Sequence, residues 1–410
     1  MKLLLLTFYY PPDLSAGSFR AAALAEALLR AGGRDVEVDV LTTRPHRYAS
    51  YRDAAAERAR ALERSGALTV TRLPVGFHRS GLLDQSVVFM GFAARALRAV
   101  RGKRYDVVVA TSSRLLTGYL GARIARRTGA TFYLDVRDMF LDNVREMFRI
   151  PGKALLVPVL RRIERETFST AARVNLVSEA FLDYCRHRFP PRPYSFFSNG
   201  IDREFLEFDF REPPSDGLRT IVYAGNIGLG QGLTDFVPEA ARVLGDGYAF
   251  RIIGDGGQRE ALAARLAAAG VRNVTLLPPM SRDALLDEYR RAHYLLLHLN
   301  GFSSLEKVLP SKVFEYAATG KPILAGVRGY ARQFITKEID GAAVFDPGDA
   351  HAMARALRSL EPAHFDRTRF KEAYRRDRLM DAMAMDILSA AAVEPRRARR
   401  AAPVGRAAAG

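Results

Sequence analysis

Short, uninterrupted runs of apolar residues alternate with amphipathic helical patterns along most of this chain. Clear examples are the apolar runs at 2–7, 106–110 and 131–136. Strands that are apolar on both faces are typical of a parallel sheet covered by helices on both sides. The same alternation starts again at 219, and 410 residues, 48% of them hydrophobic, exceed what one core usually supports. We therefore predict an α/β protein with two doubly wound, Rossmann-like domains.

A polar, Pro-rich stretch before position 218 sets the expected domain bounds. We predict an N-terminal domain at 1–205, a linker at 206–217 and a C-terminal domain at 218–364. The helical pattern at 365–393 predicts helices that pack back toward the N-terminal domain. Residues 394–410 are rich in Arg and Ala, so we expect a disordered basic tail that has little apolar surface to bury.

The chain is strongly basic, because 62 Lys and Arg residues against 45 Asp and Glu residues give a net charge of +17. This excess favours polyanionic partners such as phosphates or anionic lipid headgroups. No recognised nucleic-acid motif accompanies it, so we expect no nucleic-acid partner. The single cysteine, Cys185, excludes an internal disulfide, and no His-x-x-x-His spacing indicates zinc. Since no stretch approaches about 18 apolar residues, we expect a cytoplasmic location.

Two regions with glycine-containing loops are candidates for binding phosphate. The loop at 11–18 contains Gly17 and ends at a predicted helix N-terminus, where backbone N–H groups and the helix dipole attract anions; Arg20 lies one turn inside. The stretches at 223–233 and 253–257 place further glycines between strands and helices. Neither the dinucleotide nor the P-loop fingerprint is matched, so hydride transfer and NTP hydrolysis are not indicated. The alternative is that these residues only shape turns.

The segment at 309–323 carries clear helix signals. Ser311 can start a helix and Gly320 can end it. Lys312 would lie in the first turn, where a cation opposes the helix dipole and costs on the order of a few tenths of a kcal/mol unless an anion binds nearby. Glu315, about one turn on, can accept hydrogen bonds from a ribose. The alternative is an ordinary solvated lysine and a glutamate bonded to helix N–H groups.

These motifs occur together in one known family. Tyr10-Pro11-Pro12, Asn199-Gly200-Ile201-Asp202, Gly225-Asn226-Ile227-Gly228, Ile253-Gly254-Asp255-Gly256 and the segment at 309–323 follow one another as in the family 4 glycosyltransferases, which the chain resembles over most of its length. The likeness is greatest to the enzymes of polysaccharide, capsule and O-antigen assembly. The resemblance implies the GT-B fold, in which two Rossmann-like domains face each other across a cleft.

The resemblance also implies an activity, that of a hexosyl- or N-acetylhexosaminyltransferase. The donor would be a nucleotide diphosphate sugar, expected to be UDP-linked and bound by the C-terminal domain. The N-terminal domain would hold a glycan or a polyprenyl-diphosphate-linked acceptor, and transfer would retain the anomeric configuration. No metal ion or other cofactor would be required, because helix N-termini and basic side chains stabilise the departing diphosphate.

Donor-binding residues follow from the same resemblance, position by position. Glu315 would hold the ribose, Lys312 and the Val313 N–H would approach the phosphates, and Gly17 would close over the diphosphate from the opposite domain. Gly254 and the loop that starts at Leu277 would flank the nucleoside. The donor site implied in this way comprises Gly17, Arg20, Gly225, Asn226, Gly228, Gln231, Gly254, Leu277, Ser311, Val313 and Glu315.

Two features depart from the family pattern. Asn226 and Gln231 stand where the family often has an Arg and a Lys for the phosphates, and Lys307 stands where it has a glutamate that contacts the donor sugar. We predict that Lys312 supplies the missing positive charge. The alternative cations are Lys307, Arg251 and Arg20. Either Glu306, one place out of register, takes over the sugar contact or the chain uses a different sugar.

The predicted strand at 131–136 is followed by Arg137 and Asp138, at the sheet edge where this fold keeps its active-site groups. The family often carries a histidine here. We predict that Asp138 orients or deprotonates the acceptor hydroxyl and that Arg137 positions it. The expected catalytic set is therefore Asp138, Arg137, Lys312 and Glu306. An internal salt bridge between Arg137 and Asp138 is the alternative.

Two predicted helices carry basic residues beside apolar runs at 87–92 and 155–160. The basic residues are Arg95, Arg98, Arg101, Lys103, Arg104, Lys153, Arg161, Arg162 and Arg165. Such helices are typical of peripheral contact with an anionic membrane, here the inner face of the cytoplasmic membrane. A solvated face over an ordinary core is the alternative.

Two further functions stay open at this point. A GT-B-fold sugar-nucleotide epimerase uses a similar nucleotide pocket but needs no second substrate. A non-catalytic polyanion-binding protein would account for the net charge of +17 and the Arg-rich tail.

Overall fold

The apolar runs form the strands of two separate sheets in the computed structural model, which describes residues 1–45, 59–76, 82–112, 115–147, 152–211 and 217–400. Their residues are almost fully buried because helices cover both faces of each sheet. Two doubly wound α/β domains result, as the apolar runs predict.

The first domain is built on the strands β1 (Lys2–Leu6), β2 (Glu37–Thr43), β3 (Leu62–Ser65), β4 (Leu68–Leu73), β5 (Val107–Ser112), β6 (Thr131–Val136), β7 (Arg173–Leu176) and β8 (Tyr194–Ser195). Its helices are α1 (Ala16–Gly32), α2 (Leu82–Ala99), α3 (Leu115–Thr128), α4 (Phe140–Met147), α5 (Lys153–Thr170) and α6 (Phe181–Arg188). The strand order is β3-β4-β2-β1-β5-β6-β7-β8, and the strand pairs are parallel except for the antiparallel β3–β4 pair.

The second domain follows the short helix α7 (Arg203–Glu207) and has the strands β9 (Arg219–Asn226), β10 (Tyr248–Asp255), β11 (Val274–Leu277), β12 (Tyr294–His298), β13 (Ile323–Gly326) and β14 (Ala342–Phe345). Its helices are α8 (Leu233–Leu244), α9 (Arg259–Ala268), α10 (Arg282–Arg291), α11 (Lys312–Ala318), α12 (Gly329–Glu338) and α13 (Ala350–Arg358). A 3₁₀ helix at Ser303–Lys307 precedes α11. The parallel sheet has the order β11-β10-β9-β12-β13-β14.

Both sheets reverse their strand order at one point, between β1 and β5 in the first domain and between β9 and β12 in the second. Ligands of open parallel sheets bind beyond the carboxyl ends of the strands at such a reversal. The loop after β1 and the glycine-rich loop after β9 leave the sheets at these two points. The fold therefore places both loops where a ligand would bind.

The chain crosses between the domains at two places that are hydrogen-bonded to each other. The Ile201 N–H donates to the Tyr374 carbonyl at 2.7 Å, and the Arg376 N–H donates to the Ile201 carbonyl at 2.9 Å. Gly200 adopts φ +74°, and a β-carbon there would lie 2.9 Å from the Arg376 Cα, so only glycine fits. We call residues 200–202 and 374–376 the crossover pair.

The chain ends with two helices, α14 (Thr368–Ala373) and α15 (Arg376–Arg400). Phe370 of α14 packs in the core of the second domain, whereas Met383 and Ile387 of α15 are buried against α1 in the first domain. Of the helices expected to pack back on the N-terminal domain, it is α15 that does so.

The structure differs from the sequence-based expectation at the tail and in the first sheet. α15 continues to Arg400, so residues 394–400 are helical rather than disordered; the Arg and Ala residues favour this extension, and Pro395 opposes it. Residues 401–410 lie outside the described residues. The β3–β4 hairpin and α4 were not expected.

Candidate functional site

A cavity of about 390 Å³ lies between the two domains, at the carboxyl ends of both sheets. The first domain contributes Phe19, Asp138 and the loop residues 14–16. The second contributes the ends of β9 and β10, the loop after β11 and the start of α11. Substrates held by the two domains would therefore meet in this cavity.

Gly225 and Gly254 form the part of the cavity wall where β9 and β10 end side by side. Gly254 adopts φ +144°, and a β-carbon there would stand 1.8 Å from the Gly225 carbonyl oxygen. A β-carbon on Gly225 would be 2.5 Å from Cε of Lys312. A side chain at Gly254 would collide with the backbone, and one at Gly225 would displace the Lys312 stem, so the backbone itself faces the cavity and a ligand can approach it closely.

Lys312 and Glu315 face the cavity together from the first turn of α11. The Lys312 ammonium lies 3.5 Å from Oε2 of Glu315, and their side chains are 22% and 8% exposed. The lysine stem lies along the Gly225 backbone. A cation and a buried acceptor thus stand side by side, which is a pairing suited to the phosphate and ribose of a nucleotide.

Asn226 and Gln231 bond to each other across the glycine-rich loop. The Asn226 amide donates to Oε1 of Gln231 at 2.9 Å, and the Gly228 N–H donates to the same oxygen at 3.2 Å. A β-carbon on Gly228 would lie 2.4 Å from the Asn226 amide nitrogen. Both polar side chains line the cavity, and they close the loop without adding charge.

Of three other residues expected to bind the donor, one lines the cavity and two do not. Ser311 lines the cavity, but Leu277 packs partly buried in the core of the second domain, and the neighbouring Pro279 and Met280 line the cavity. The Val313 N–H donates to the Pro310 carbonyl at 3.1 Å, and its side chain is buried. The Val313 N–H is therefore engaged within its own turn.

On the opposite wall, Asp138 lines the cavity at the end of β6. Burial raises the pKa of its carboxyl group, although the Asn143 amide donates to Oδ1 at 2.9 Å and favours the ionised form. Arg137 donates instead to Oδ1 of Asn199 at 3.0 Å. The two neighbours thus have separate partners, and Asp138 presents a carboxyl group whose proton affinity is increased.

Gly17 lies in the first turn of α1 next to the cavity-lining Ala16, and it is not itself among the residues that line the cavity. The Arg137 guanidinium carbon lies 3.9 Å from the place of a β-carbon on Gly17. Burial and the neighbouring Arg20 lower the pKa of Arg137 to about 9. The N-terminus of α1 and this guanidinium therefore place positive charge behind the wall of the first domain, although Arg137 is not among the residues that line the cavity.

Arg20 does not reach the cavity, contrary to its expected role in donor binding. Its side chain is fully buried, and its guanidinium forms two hydrogen bonds of 3.1 Å with the carboxylate of Asp135, which is also fully buried. The same guanidinium donates to the carbonyls of Phe197 and Ser198. Arg20 lies on the buried face of α1, which packs on the sheet. Its charge is therefore neutralised by Asp135 inside the first domain.

The other alternative cations also have partners outside the cavity. The Lys307 ammonium lies 3.0 Å from Oδ2 of Asp142 in α4, and this ion pair joins the two domains. Arg251 forms a bidentate pair with Glu288 at 2.6 and 2.7 Å. Glu306 is exposed in the 3₁₀ helix and is not among the cavity-lining residues. Of the cations considered, the structure brings Lys312 to the site.

The cavity lining includes two titratable residues, His298 and Arg282, that the sequence analysis did not single out. His298 at the end of β12 is buried, accepts from the Gly348 N–H at 3.0 Å, and lies 2.6 Å through Nδ1 from the Gln231 carbonyl. Burial lowers the pKa of His298 to about 4, so the ring is neutral. Arg282 at the start of α10 is the second. In the sequence, Arg282 after the N-cap Ser281 indicates only the start of a helix and not a residue of the site.

Within the described ranges, no group of three or more His, Cys, Asp or Glu side chains could hold a metal ion. In the same part of the chain, the helices are too short or too polar to cross a membrane.

Comparison with known proteins gives matches over both domains. Residues 17–200 match the family model described as a glycosyl transferase 4-like domain, and residues 218–361 match the model described as glycosyl transferases group 1. A curated relative, the putative colanic acid biosynthesis glycosyl transferase WcaI of Escherichia coli, is 24% identical over 389 residues, which cover 89% of this chain and 93% of the relative.

Solved structures share the fold at low sequence identity. The alpha,alpha-trehalose 6-phosphate synthase of Burkholderia multivorans superposes with a TM-score of 0.67 at 14% identity and covers 99% of both chains. HepE of Anabaena, solved in complex with UDP and glucose, gives a TM-score of 0.59 at 13% identity over 97% of this chain and 99% of HepE.

Proposed function

The chain belongs to the family 4 glycosyltransferases of the GT-B fold, and we propose that it transfers a sugar from a UDP-linked donor to a growing cell-surface glycan. The observation that carries the proposal is the cavity that brings Lys312 and Glu315 of one domain opposite Asp138 of the other. WcaI is named for colanic acid biosynthesis, and HepE was solved with UDP and glucose. The ligands of HepE agree with a nucleotide-sugar donor, and the name of WcaI agrees with a glycan acceptor.

The donor occupies the wall of the second domain. Glu315 accepts hydrogen bonds from the ribose hydroxyls, and the diphosphate lies between Lys312 and the exposed backbone of Gly225 and Gly254. Lys312 stabilises the negative charge that develops as the nucleoside diphosphate leaves, which is the largest electrostatic demand of the reaction. With this charge in place, we expect transfer to proceed without a metal ion.

The acceptor lies against the first domain. Asp138 accepts the proton of the attacking hydroxyl, and its raised pKa makes it a stronger base once ionised. The acceptor oxygen bonds to the anomeric carbon while the bond from that carbon to the diphosphate breaks. As the resemblance implies, the sugar is transferred with retention, which NMR coupling at the anomeric proton of the product measures.

A binding and turnover experiment tests these roles. Thermal unfolding is followed with UDP, GDP, ADP and their sugars, since a ligand at 100 times its Kd stabilises a fold by about 2.7 kcal/mol. Lys312→Ala is expected to weaken nucleoside diphosphate binding at least about 10-fold, a loss of about 1.4 kcal/mol. Lys337→Ala, an exposed lysine of α12, is the matched control and binds like wild type.

Asp138→Asn separates the acceptor role from donor binding. We expect kcat to fall about 100-fold or more, as for loss of a general base, with donor affinity unchanged. Equal losses in donor affinity and kcat contradict the assignment of Asp138. An epimerised sugar nucleotide formed without acceptor, and no glycoside formed with it, favours the epimerase instead.

We also propose that the first domain rests on an anionic membrane through α2 and α5, which both contact α3. Val87 and Met90 of α2 are 72% and 66% exposed, and Leu155 and Val159 of α5 are 82% and 55% exposed. Exposed arginines of both helices accompany them. Apolar side chains beside cations are suited to the interface of an anionic bilayer, where a lipid-linked acceptor is presented.

Cosedimentation with vesicles tests the membrane contact. Wild type is expected to bind phosphatidylglycerol vesicles and not phosphatidylcholine vesicles, and Leu155→Ser with Val87→Ser should reduce binding several-fold. Leu218→Ser, an exposed leucine of the second domain, is the control that binds normally. Equal binding to both vesicles contradicts the proposal.

A further inference from the structure

Arg282 joins three parts of the molecule at the edge of the cavity. Its guanidinium carbon lies 4.5 Å from the ring centroid of Phe19 in α1 and 4.7 Å from that of Phe205 in α7. Its Nη1 is 3.7 Å from Oε1 of Glu315, and its Nη2 donates to Asp202. One cation thus contacts the first domain, the crossover pair and the donor wall.

The surroundings of Arg282 leave its guanidinium little freedom. The two phenylalanine rings and the two carboxylates restrict the plane and the rotation of the group, and the side chain is only 17% exposed. A planar guanidinium fixes the direction of a carboxylate better than an ammonium group does. Oε1 of Glu315 thus forms an ion pair with this restrained guanidinium, and Oε2 lies beside Lys312.

Asp202 links this contact to the place where the chain crosses between domains. Its carboxylate pairs with both Arg282 and Arg376. Asp202 follows the tightly packed Gly200, and Arg376 begins α15. Phe19 and Asp202 are both partners of Arg282. A change in the relative position of the domains therefore moves the groups that hold Arg282.

We propose that Arg282 is a positioning residue, which holds the Glu315 carboxylate in the orientation that binds ribose and ties this orientation to the arrangement of the two domains. The inference rests on the proposed function, because it assumes that Glu315 receives the ribose of the donor. Arg282 thereby determines how much more tightly the site binds a nucleotide with ribose hydroxyls than a nucleotide without them.

A comparison of nucleotides with and without ribose hydroxyls tests this role. Calorimetry on the full chain measures the Kd of UDP, GDP and ADP and of their 2′,3′-dideoxy forms. Wild type is expected to bind one diphosphate at least about 10-fold tighter than its dideoxy form. In Arg282→Met this ratio falls to nearly 1, because the loss concerns the ribose contact, while the dideoxy form binds as before.

The matched control is Arg290→Met. Arg290 lies on the same helix, pairs with Asp287 at 3.0 Å and lies over the ring of Phe208, outside the cavity. We expect it to keep the wild-type ratio. Phe19→Leu, which removes one of the two rings, is the second variant should Arg282→Met not fold, and it is expected to lower the ratio several-fold.

The outcomes separate the inference from the proposed function. A wild type that binds none of the diphosphates contradicts both. A wild type that prefers the ribose form, with the same preference in Arg282→Met and Phe19→Leu, overturns the role of Arg282 alone. Equal weakening of the ribose and dideoxy forms in Arg282→Met also overturns it, since a general disturbance of the fold would have that effect.

Discussion

Glu164 shows how a single buried carboxyl group affects this protein. It lies on the buried side of α5, is 3% exposed, and accepts from the Tyr184 hydroxyl, which is 3.0 and 3.2 Å from its two carboxyl oxygens. Burial raises the pKa of Glu164 from 4.5 to about 7, despite the opposing effects of Tyr184 and Arg188. The folded state therefore favours the protonated form, and this contribution to stability is complete below pH 4.5 and lost as the pH rises through 7.

Glu164→Gln is expected to remove this dependence. From pH 5 to pH 8, the free energy of unfolding of the variant should rise relative to that of wild type by up to about 3 kcal/mol, the equivalent of the pKa shift. Urea unfolding at the two pH values, followed by far-UV circular dichroism, measures the difference. The same relative stability at both pH values would show that Glu164 titrates normally in the folded protein.

Single residues also show which predictions sequence alone permits. Gly225, Gly254, Lys312 and Glu315 were predicted to face a ligand, and the structure places them on one cavity wall, because their positions follow from local strand-loop-helix signals. Arg20 was assigned to the donor from its place one turn inside α1, and its partner Asp135, distant in sequence, became visible only in the folded chain. Their roles in binding stay predictions.

At the scale of helices and strands, α15 completes the core of the domain farthest from it in sequence. Met380, Met383, Ile387 and Ala391 are buried against α1. Their helical spacing predicts a helix with one apolar face. The sequence predicted packing against the N-terminal domain but not against α1 in particular. Periodicity identifies a buried face and does not identify the element that covers it.

Ile387→Ala is expected to destabilise the protein by about 2–5 kcal/mol, since Ile387 is fully buried and its loss leaves a cavity. Met385→Ala, on the same helix with a side chain 59% exposed, is the control and should change stability by less than about 0.5 kcal/mol. Far-UV circular dichroism follows denaturation because the chain contains no tryptophan. Equal effects of both substitutions would mean that α15 does not pack on α1 in solution.

For the whole molecule, the predicted fold class is confirmed, and the contacts that join its halves were not predicted. The Glu146 carboxylate of α4 accepts from the Ser303 and Ser304 N–H groups at 2.7 and 2.6 Å, across the domain boundary. These hydrogen bonds lower the pKa of Glu146 despite the opposing effect of burial. Sequence patterns define each domain separately, so contacts between Glu146 or Lys307 and the other domain leave no local signal.

Glu146→Ala is expected to loosen the two domains without unfolding either. Small-angle scattering of the unliganded protein should give a larger radius of gyration for this variant than for wild type. Arg145→Ala changes the adjacent exposed side chain and is the control with an unchanged radius. An unchanged radius for Glu146→Ala as well would show that other contacts fix the domains.

The burial of α15 against α1 also determines when the protein can finish folding during synthesis. The ribosome releases the first domain early, and α1 then lacks the apolar surface of α15 until the second domain has been translated. The unfinished core stays accessible to chaperones and to neighbouring nascent chains throughout that interval. Translation of α15 is therefore the event that closes the first domain.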